Sequence, residues 1–158
     1  MQSVLFDLDG TLLDTAPDMV PVLADLLAEE GCAPLPYDLV RNHVSNGSAG
    51  LVRLAFPDAP AARLAALQAR YLERYATRLA RETRLFPGFE ALLAGLEARG
   101  LAWGVDTNKP GHLTEPLLAA LGLRDRAACV VSGDTLPERK PHPRPVAYAV
   151  AAVRAVPT

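Results

Sequence analysis

Val4-Leu5-Phe6-Asp7-Leu8-Asp9-Gly10-Thr11-Leu12 is the stretch on which the fold turns. An apolar run that stops at an acidic residue and a glycine reads as a buried strand entering a loop. Two carboxylates one residue apart at a strand end can converge on one cavity once the chain leaves extended geometry. One can then attack phosphorus while the other handles the proton of a leaving oxygen, the division of labour in a phosphoaspartyl mechanism. Gly10 permits the tight turn, and Thr11 offers a hydroxyl and a main-chain amide to an anion.

Downstream, Thr15-Ala16-Pro17-Asp18 predicts a helix start, with Thr15 as the N-cap and Pro17 in the first turn. Val20, Leu23 and Leu27 recur at helical spacing until Gly31. Pro34 and Pro36 mark a loop, a short helix runs from Tyr37 towards His43, and Ser45-Asn46-Gly47-Ser48 links it to the next. Pro60 opens the longest helical pattern, with Leu64, Leu67, Tyr71, Tyr75 and Leu79 on one face. Arg63, Arg70, Arg74 and Arg78 lie on the other, the pattern of a solvated charged face.

After Phe86-Pro87-Gly88 the pattern changes. A helix through Leu92 and Leu96 ends at Gly100, residues 101–105 read as a strand, 110–121 as a helix stopped by Gly122, and 128–131 as another strand. Strand and helix alternate here, which predicts a parallel α/β sheet, whereas the middle of the chain is purely helical. The expected fold is a Rossmann-like, three-layer α/β core of residues 1–14 and 84–158, interrupted after its first strand by a small helical insertion at 15–83. Functional groups of such sheets sit at the carboxyl ends of the strands, where Asp7, Thr107 and the loop after Val131 would fall.

Composition narrows the function classes. Of the 158 residues, 50% are hydrophobic and 22% charged, the balance of a globular chain. A formal net charge of −2 gives no electrostatic case for nucleic acid or an anionic membrane as partner. Cys32 and Cys129 are too few and too isolated for a disulfide framework or a cysteine metal site. No apolar run is long enough to cross a bilayer, and Asp7 and Asp9 interrupt the N-terminal stretch that a signal peptide would need, so the expected compartment is the cytoplasm.

Two later motifs join the first. Thr107-Asn108-Lys109-Pro110 follows a strand, where a hydroxyl and neighbouring polar groups can hold phosphate oxygens. Lys140-Pro141-His142-Pro143 presents an ammonium able to neutralise a carboxylate nucleophile and a transferring phosphoryl group. Together the three motifs resemble those of the haloacid dehalogenase superfamily. The resemblance implies Asp7 as nucleophile, Asp9 as general acid/base, and Thr107 and Lys140 as ligands of the phosphoryl oxygens. It also implies Mg²⁺ held by Asp7 and the main-chain carbonyl of Asp9. Gly10, Thr11 and Asn108 are further substrate-binding candidates, and the helical insertion resembles the family's small cap. On that cap Ser45, Asn46 and Gly47 either meet the non-phosphate part of the substrate or form a plain inter-helix turn. Lys109 reads as solvated or near the cap, and His43, His112 and His142 as local or exposed residues.

The stretch Leu101-Ala102-Trp103-Gly104 with Thr107-Asn108-Lys109-Pro110 resembles the phosphoglycolate phosphatase branch and the neighbouring N-acetylmuramic acid 6-phosphate phosphatases. The implied activity is Mg²⁺-dependent hydrolysis of a small phosphorylated metabolite. A non-catalytic phosphate-binding remnant, and a mutase or dehalogenase of the same superfamily, remain as alternatives. The family's last acidic motif has no counterpart, because residues 144–158 contain no Asp or Glu. The core is therefore expected to be incomplete at its C-terminal side. Asp134 and Glu138 imitate that motif but precede Lys140 instead of following it. Asp106, at the end of an apolar strand, is a second anomaly, since a buried unpaired carboxyl is costly and tends to keep its proton.

Overall fold

The computed structural model describes residues 3–154. They form two compact units, one built from the chain up to Leu13 and again from Arg84 onward, the other from Asp14–Thr83. In chain order the elements are β1 (Ser3–Phe6), β2 (Leu13–Asp14), α1 (Ala16–Glu29), α2 (Tyr37–Arg41), a 3-10 turn (Val44–Asn46), α3 (Gly47–Ala55), α4 (Ala61–Ala76), β3 (Arg84–Leu85), α5 (Phe89–Glu97), β4 (Ala102–Asp106), α6 (Gly111–Ala120), β5 (Cys129–Val131) and α7 (Pro143–Arg154).

In the first unit, β1, β4 and β5 form a parallel sheet in that order. Phe6 lies opposite Val105, and Asp106 opposite Val131. Successive residues of β4 face opposite sides of the sheet. On one side Trp103, 1% exposed, meets Phe6 edge-on at 6.3 Å, and Phe6 meets Phe89 of α5 at 5.6 Å. The Trp103 indole N–H donates to Glu97 at the end of α5 (2.9 Å), so the buried ring keeps its polar atom satisfied. On the other side, a Cβ on Gly104 would lie 2.6 Å from Cys129 Sγ and 3.1 Å from Val153 Cγ2. Only a residue without a side chain lets α7 come this close. That helix turns Pro145, Ala149 and Val153 inward at a spacing of four and leaves Val146 and Tyr148 exposed. The result is an α/β sheet with helices on both faces. Leu92 departs from the sequence expectation: α5 buries Leu93 and Leu96 instead, and Leu92 is 46% exposed.

The second unit is helical. α1 buries Met19, Val20, Leu23, Leu26 and Leu27, and the phenol of Tyr71 on α4 donates to the Met19 carbonyl at 3.0 Å. Thr15 occupies the N-cap position, but its hydroxyl caps nothing. Its buried Oγ1 has no partner among the described residues, and its carbonyl accepts from the Asp18 and Met19 amides. The polar anchor of this helix is Asp18, fully buried, which accepts from the amides of Glu82 and Thr83 and from the Thr83 hydroxyl. The arginine face of α4 is not simply solvated. Arg63 pairs with Glu30, Arg74 with Glu29 and Arg70 with both, while Arg78, just past the end of α4, lies 3.9 Å from Asp18. No helix among the described residues is long and apolar enough to cross a membrane.

Candidate active site

The loop after β1 is knotted by its own main chain. The Thr11 and Leu13 amides donate to the Leu8 carbonyl, Leu12 N–H to the Asp7 carbonyl, and Gly10 N–H to the Leu13 carbonyl. Gly10 closes the turn at φ 76°, a conformation that favours glycine. The Gly10 and Thr11 amides are spent inside the loop, which leaves the exposed Thr11 hydroxyl as the group a substrate-binding role would use. Among the described residues it is the amides of Leu8 and Asp9 that have no acceptor. Two adjacent amides next to Asp7 are thus not used by the loop's own main-chain bonds. Sequence reasoning missed them because an amide carries no residue signature.

Asp7 follows β1 directly, with its side chain 39% exposed. Lys140 reaches it from the loop before α7, its ammonium donating to Asp7 Oδ1 at 2.9 Å and also to the main-chain carbonyl of Asp106. The third motif thus meets the first across 133 residues of sequence. Asn108 stands beside this contact: its carboxamide accepts from Lys140 N–H and donates to the Lys140 carbonyl, both at 3.0 Å. It ties the loop that carries Lys140 to the end of β4.

Thr107 is 3% exposed, and its amide continues the ladder to the Val131 carbonyl. Its hydroxyl accepts from Lys109 N–H at 3.2 Å, which leaves its own proton available to an outside oxygen. The Lys109 carbonyl in turn accepts from Gly133 N–H at 2.8 Å. A Cβ on Gly133 would lie 2.2 Å from the Asn108 carbonyl oxygen, so the loops after β4 and β5 are in direct main-chain contact.

Lys109 itself corrects the sequence expectation most sharply. It is not solvated but 7% exposed, and its ammonium donates to both carboxylate oxygens of Asp9, at 3.0 and 3.3 Å. Asp7 and Asp9 therefore each have an ammonium of their own.

Asp106 is 4% exposed, and its Oδ1 has no hydrogen-bond partner among the described residues. Burial pushes its carboxyl above the usual carboxylate range; Lys140 draws it down and Asp7 adds to the rise. Burial also raises the Cys129 thiol, with Asp106 adding to that effect. Both cysteines are free. Asp134 is occupied by the Gly111 amide and Glu138 by Arg144. Among the described residues no three His, Cys, Asp or Glu cluster as a metal cage. Of the acid-free stretch, residues 155–158 lie outside the described residues.

Ser45, Asn46 and Gly47 belong to the helical unit, with Ser45 and Asn46 exposed on the 3-10 turn. His43 Nδ1 lies 2.8 Å from the Leu39 carbonyl, the His142 ring accepts from Arg144 N–H, and His112 is exposed.

The chain is similar to proteins already known. A family profile described as haloacid dehalogenase-like hydrolase matches residues 4–157. A phosphoglycolate phosphatase of Xylella fastidiosa is 41% identical over 157 residues, which cover 99% of this chain and 69% of that protein. An N-acetylmuramic acid 6-phosphate phosphatase of Pseudomonas putida is 41% identical over 150 residues, 94% of this chain and 67% of that protein. Among solved structures, a predicted phosphoglycolate phosphatase from Haemophilus somnus superposes with a TM-score of 0.83 at 28% identity, over 96% of this chain and 71% of that one.

Proposed function

This chain belongs to the haloacid dehalogenase-like hydrolases, and we propose that it hydrolyses a small phosphomonoester through a covalent intermediate on Asp7. The observation that carries this reading is the 2.9 Å contact of Lys140 with Asp7 at the carboxyl end of β1. It joins two chemically complementary groups where a parallel sheet presents its ligand site.

The first half-reaction makes a bond from an Asp7 oxygen to phosphorus and breaks the bond to the ester oxygen, to which Asp9 gives a proton. In the second, Asp9 takes a proton from water, the water oxygen bonds to phosphorus, and the bond to Asp7 breaks. Inorganic phosphate leaves and Asp7 is again a carboxylate. The Leu8 and Asp9 amides, the Thr107 hydroxyl and the Lys140 ammonium stabilise the charge on the transferring phosphoryl oxygens. The ordering of Lys140 by Asn108 and Asp7 means that little reorganisation is left for the reaction itself.

The donors fit one loosely held Mg²⁺. Asp7 Oδ2 has no hydrogen-bond partner among the described residues, and the Asp9 carbonyl lies two residues on. Mg²⁺ ordinarily takes one or two carboxylates and completes its shell with phosphate and water. Bound there, it would offset repulsion between the anionic nucleophile and the anionic substrate.

The names of the two relatives suggest 2-phosphoglycolate or a sugar phosphate such as N-acetylmuramic acid 6-phosphate as substrate. The helical unit, with Ser45, Asn46 and Gly47, would act as a cap that selects between them. The test is phosphate release from both compounds with Mg²⁺ present, for the parent and Asp7→Asn. The parent should turn over one of them, and Asp7→Asn should be inactive with an unchanged circular-dichroism spectrum. Activity retained in Asp7→Asn would remove Asp7 from the mechanism.

A further inference from the structure

We propose that Lys109 is the positioning residue of the Asp9 carboxylate. Its main chain is held at three points: N–H to the Thr107 hydroxyl (3.2 Å), and the carbonyl to Gly133 N–H (2.8 Å) and the Thr114 hydroxyl (3.2 Å). The ammonium therefore leaves a fixed anchor. It meets both oxygens of a carboxylate that lies 100 residues earlier, with side-chain exposures of 4% for Lys109 and 11% for Asp9. Two contacts from one cation fix the plane of the carboxylate as well as its place. Main-chain bonds on either side of Asp9, from Leu13 N–H to the Leu8 carbonyl and from Gly10 N–H to the Leu13 carbonyl, hold its backbone, and Lys109 holds the side chain.

A buried ion pair is weak evidence for stability, because desolvation offsets most of the attraction. Its value here is orientation. Asp7 has Lys140, and Asp9 has a second ammonium held in place by the very loops that carry Thr107 and Gly133. The inference rests on the reading of Asp9 as general acid/base, and the experiment separates the two.

The experiment measures kcat/KM, which reports transfer to Asp7, for an alkyl phosphate and for p-nitrophenyl phosphate. The aryl leaving group needs no proton, whereas the alkoxide does. Lys109→Met should lower kcat/KM on the alkyl ester on the order of 10-fold or more beyond its effect on the aryl ester, within the range of acid catalysis. With p-nitrophenyl phosphate it should also show a burst of p-nitrophenolate, since Asp9 is still needed for the hydrolytic half. Lys109→Arg, which retains the charge, should recover part of the alkyl rate. In an Asp9→Asn background, Lys109→Met should leave the ratio unchanged. Lys109→Gln reads the same ratio should the methionine variant fail to fold. An equal loss on both esters, or a lower Tm with an unaltered ratio, would make Lys109 a structural ion-pair partner only. A raised KM at constant kcat would make it a substrate ligand instead. Were Asp9→Asn itself to show no dependence on the leaving group, the acid/base reading would fall, and the role of Lys109 with it.

Discussion

Asp106 sets a carboxyl, 4% exposed and with one oxygen unbonded, at the end of β4, next to Thr107. Its pKa is raised chiefly by burial, so the fold holds the proton to higher pH than the unfolded chain does. Between those two values the native state binds more protons, and stability falls as pH rises. The penalty is absent below the ordinary Asp range and complete above the folded pKa. Asp106→Val should therefore raise stability at neutral pH by about 1–3 kcal/mol, the cost of a buried unsatisfied polar group. The gain should shrink as the pH is lowered towards about 4. Chemical denaturation at several pH values decides it; a gain that does not depend on pH would assign the effect to packing. The anomaly was legible in the sequence, because a lone acid at the end of an apolar strand stands out. What Asp9 pairs with was not legible. Lys109 looks like any loop lysine until β1 and β4 are set side by side, and the amides of Leu8 and Asp9 gain meaning only when the loop's internal bonds have used up the others.

Among the elements, periodicity predicted α1, α4, α5 and α6 to within a few residues, since apolar spacing reports which residues share a face. It does not report what lies opposite. The arginines of α4 form a face in the sequence, yet their carboxylate partners at the end of α1 lie 33 to 45 residues away. Leu92 fails for a related reason: it and Leu93 both fit a helical stripe that includes Leu96, and only the sheet decides between them. The loops after β4 and β5 meet through Gly133, where an added Cβ would collide with the Asn108 carbonyl carbon and oxygen at 2.7 and 2.2 Å. Backbone cannot swing aside as a flexible side chain does. Gly133→Ala should cost about 1–3 kcal/mol as overpacking. It should also lower kcat/KM, because Asn108 and Lys109 are displaced together. Thermal unfolding with kinetics on one preparation checks both, and a variant with parental Tm and turnover would show that the loops move independently.

At the scale of the molecule, the alternation of strand and helix on either side of a helical stretch was enough to predict an α/β core and a separate helical unit. The proposed metal site is harder to read from that pattern, because a donor such as the Asp9 carbonyl depends on how the loop turns. The proposed donor set is sparse: one free Asp7 oxygen, one carbonyl, and no acidic cluster among the described residues. A ligand stabilises the native state by RT ln(1 + [L]/Kd), so a weakly held ion alone barely moves Tm. A phosphate mimic supplies the oxygens that the protein does not, while the cation relieves the repulsion that keeps the anion away from Asp7. Binding of the two should therefore be strongly cooperative, with reciprocal coupling of about 1–3 kcal/mol. Differential scanning fluorimetry should find small Tm shifts with millimolar Mg²⁺ or beryllium fluoride separately, and a shift well above their sum with both. In Asp7→Asn, which removes the carboxylate that the metal and the mimic share, the excess should vanish. A large shift with Mg²⁺ alone would point to acidic donors outside this set. Additive shifts would separate the anion site from the cation site and remove Asp7 as the atom common to both.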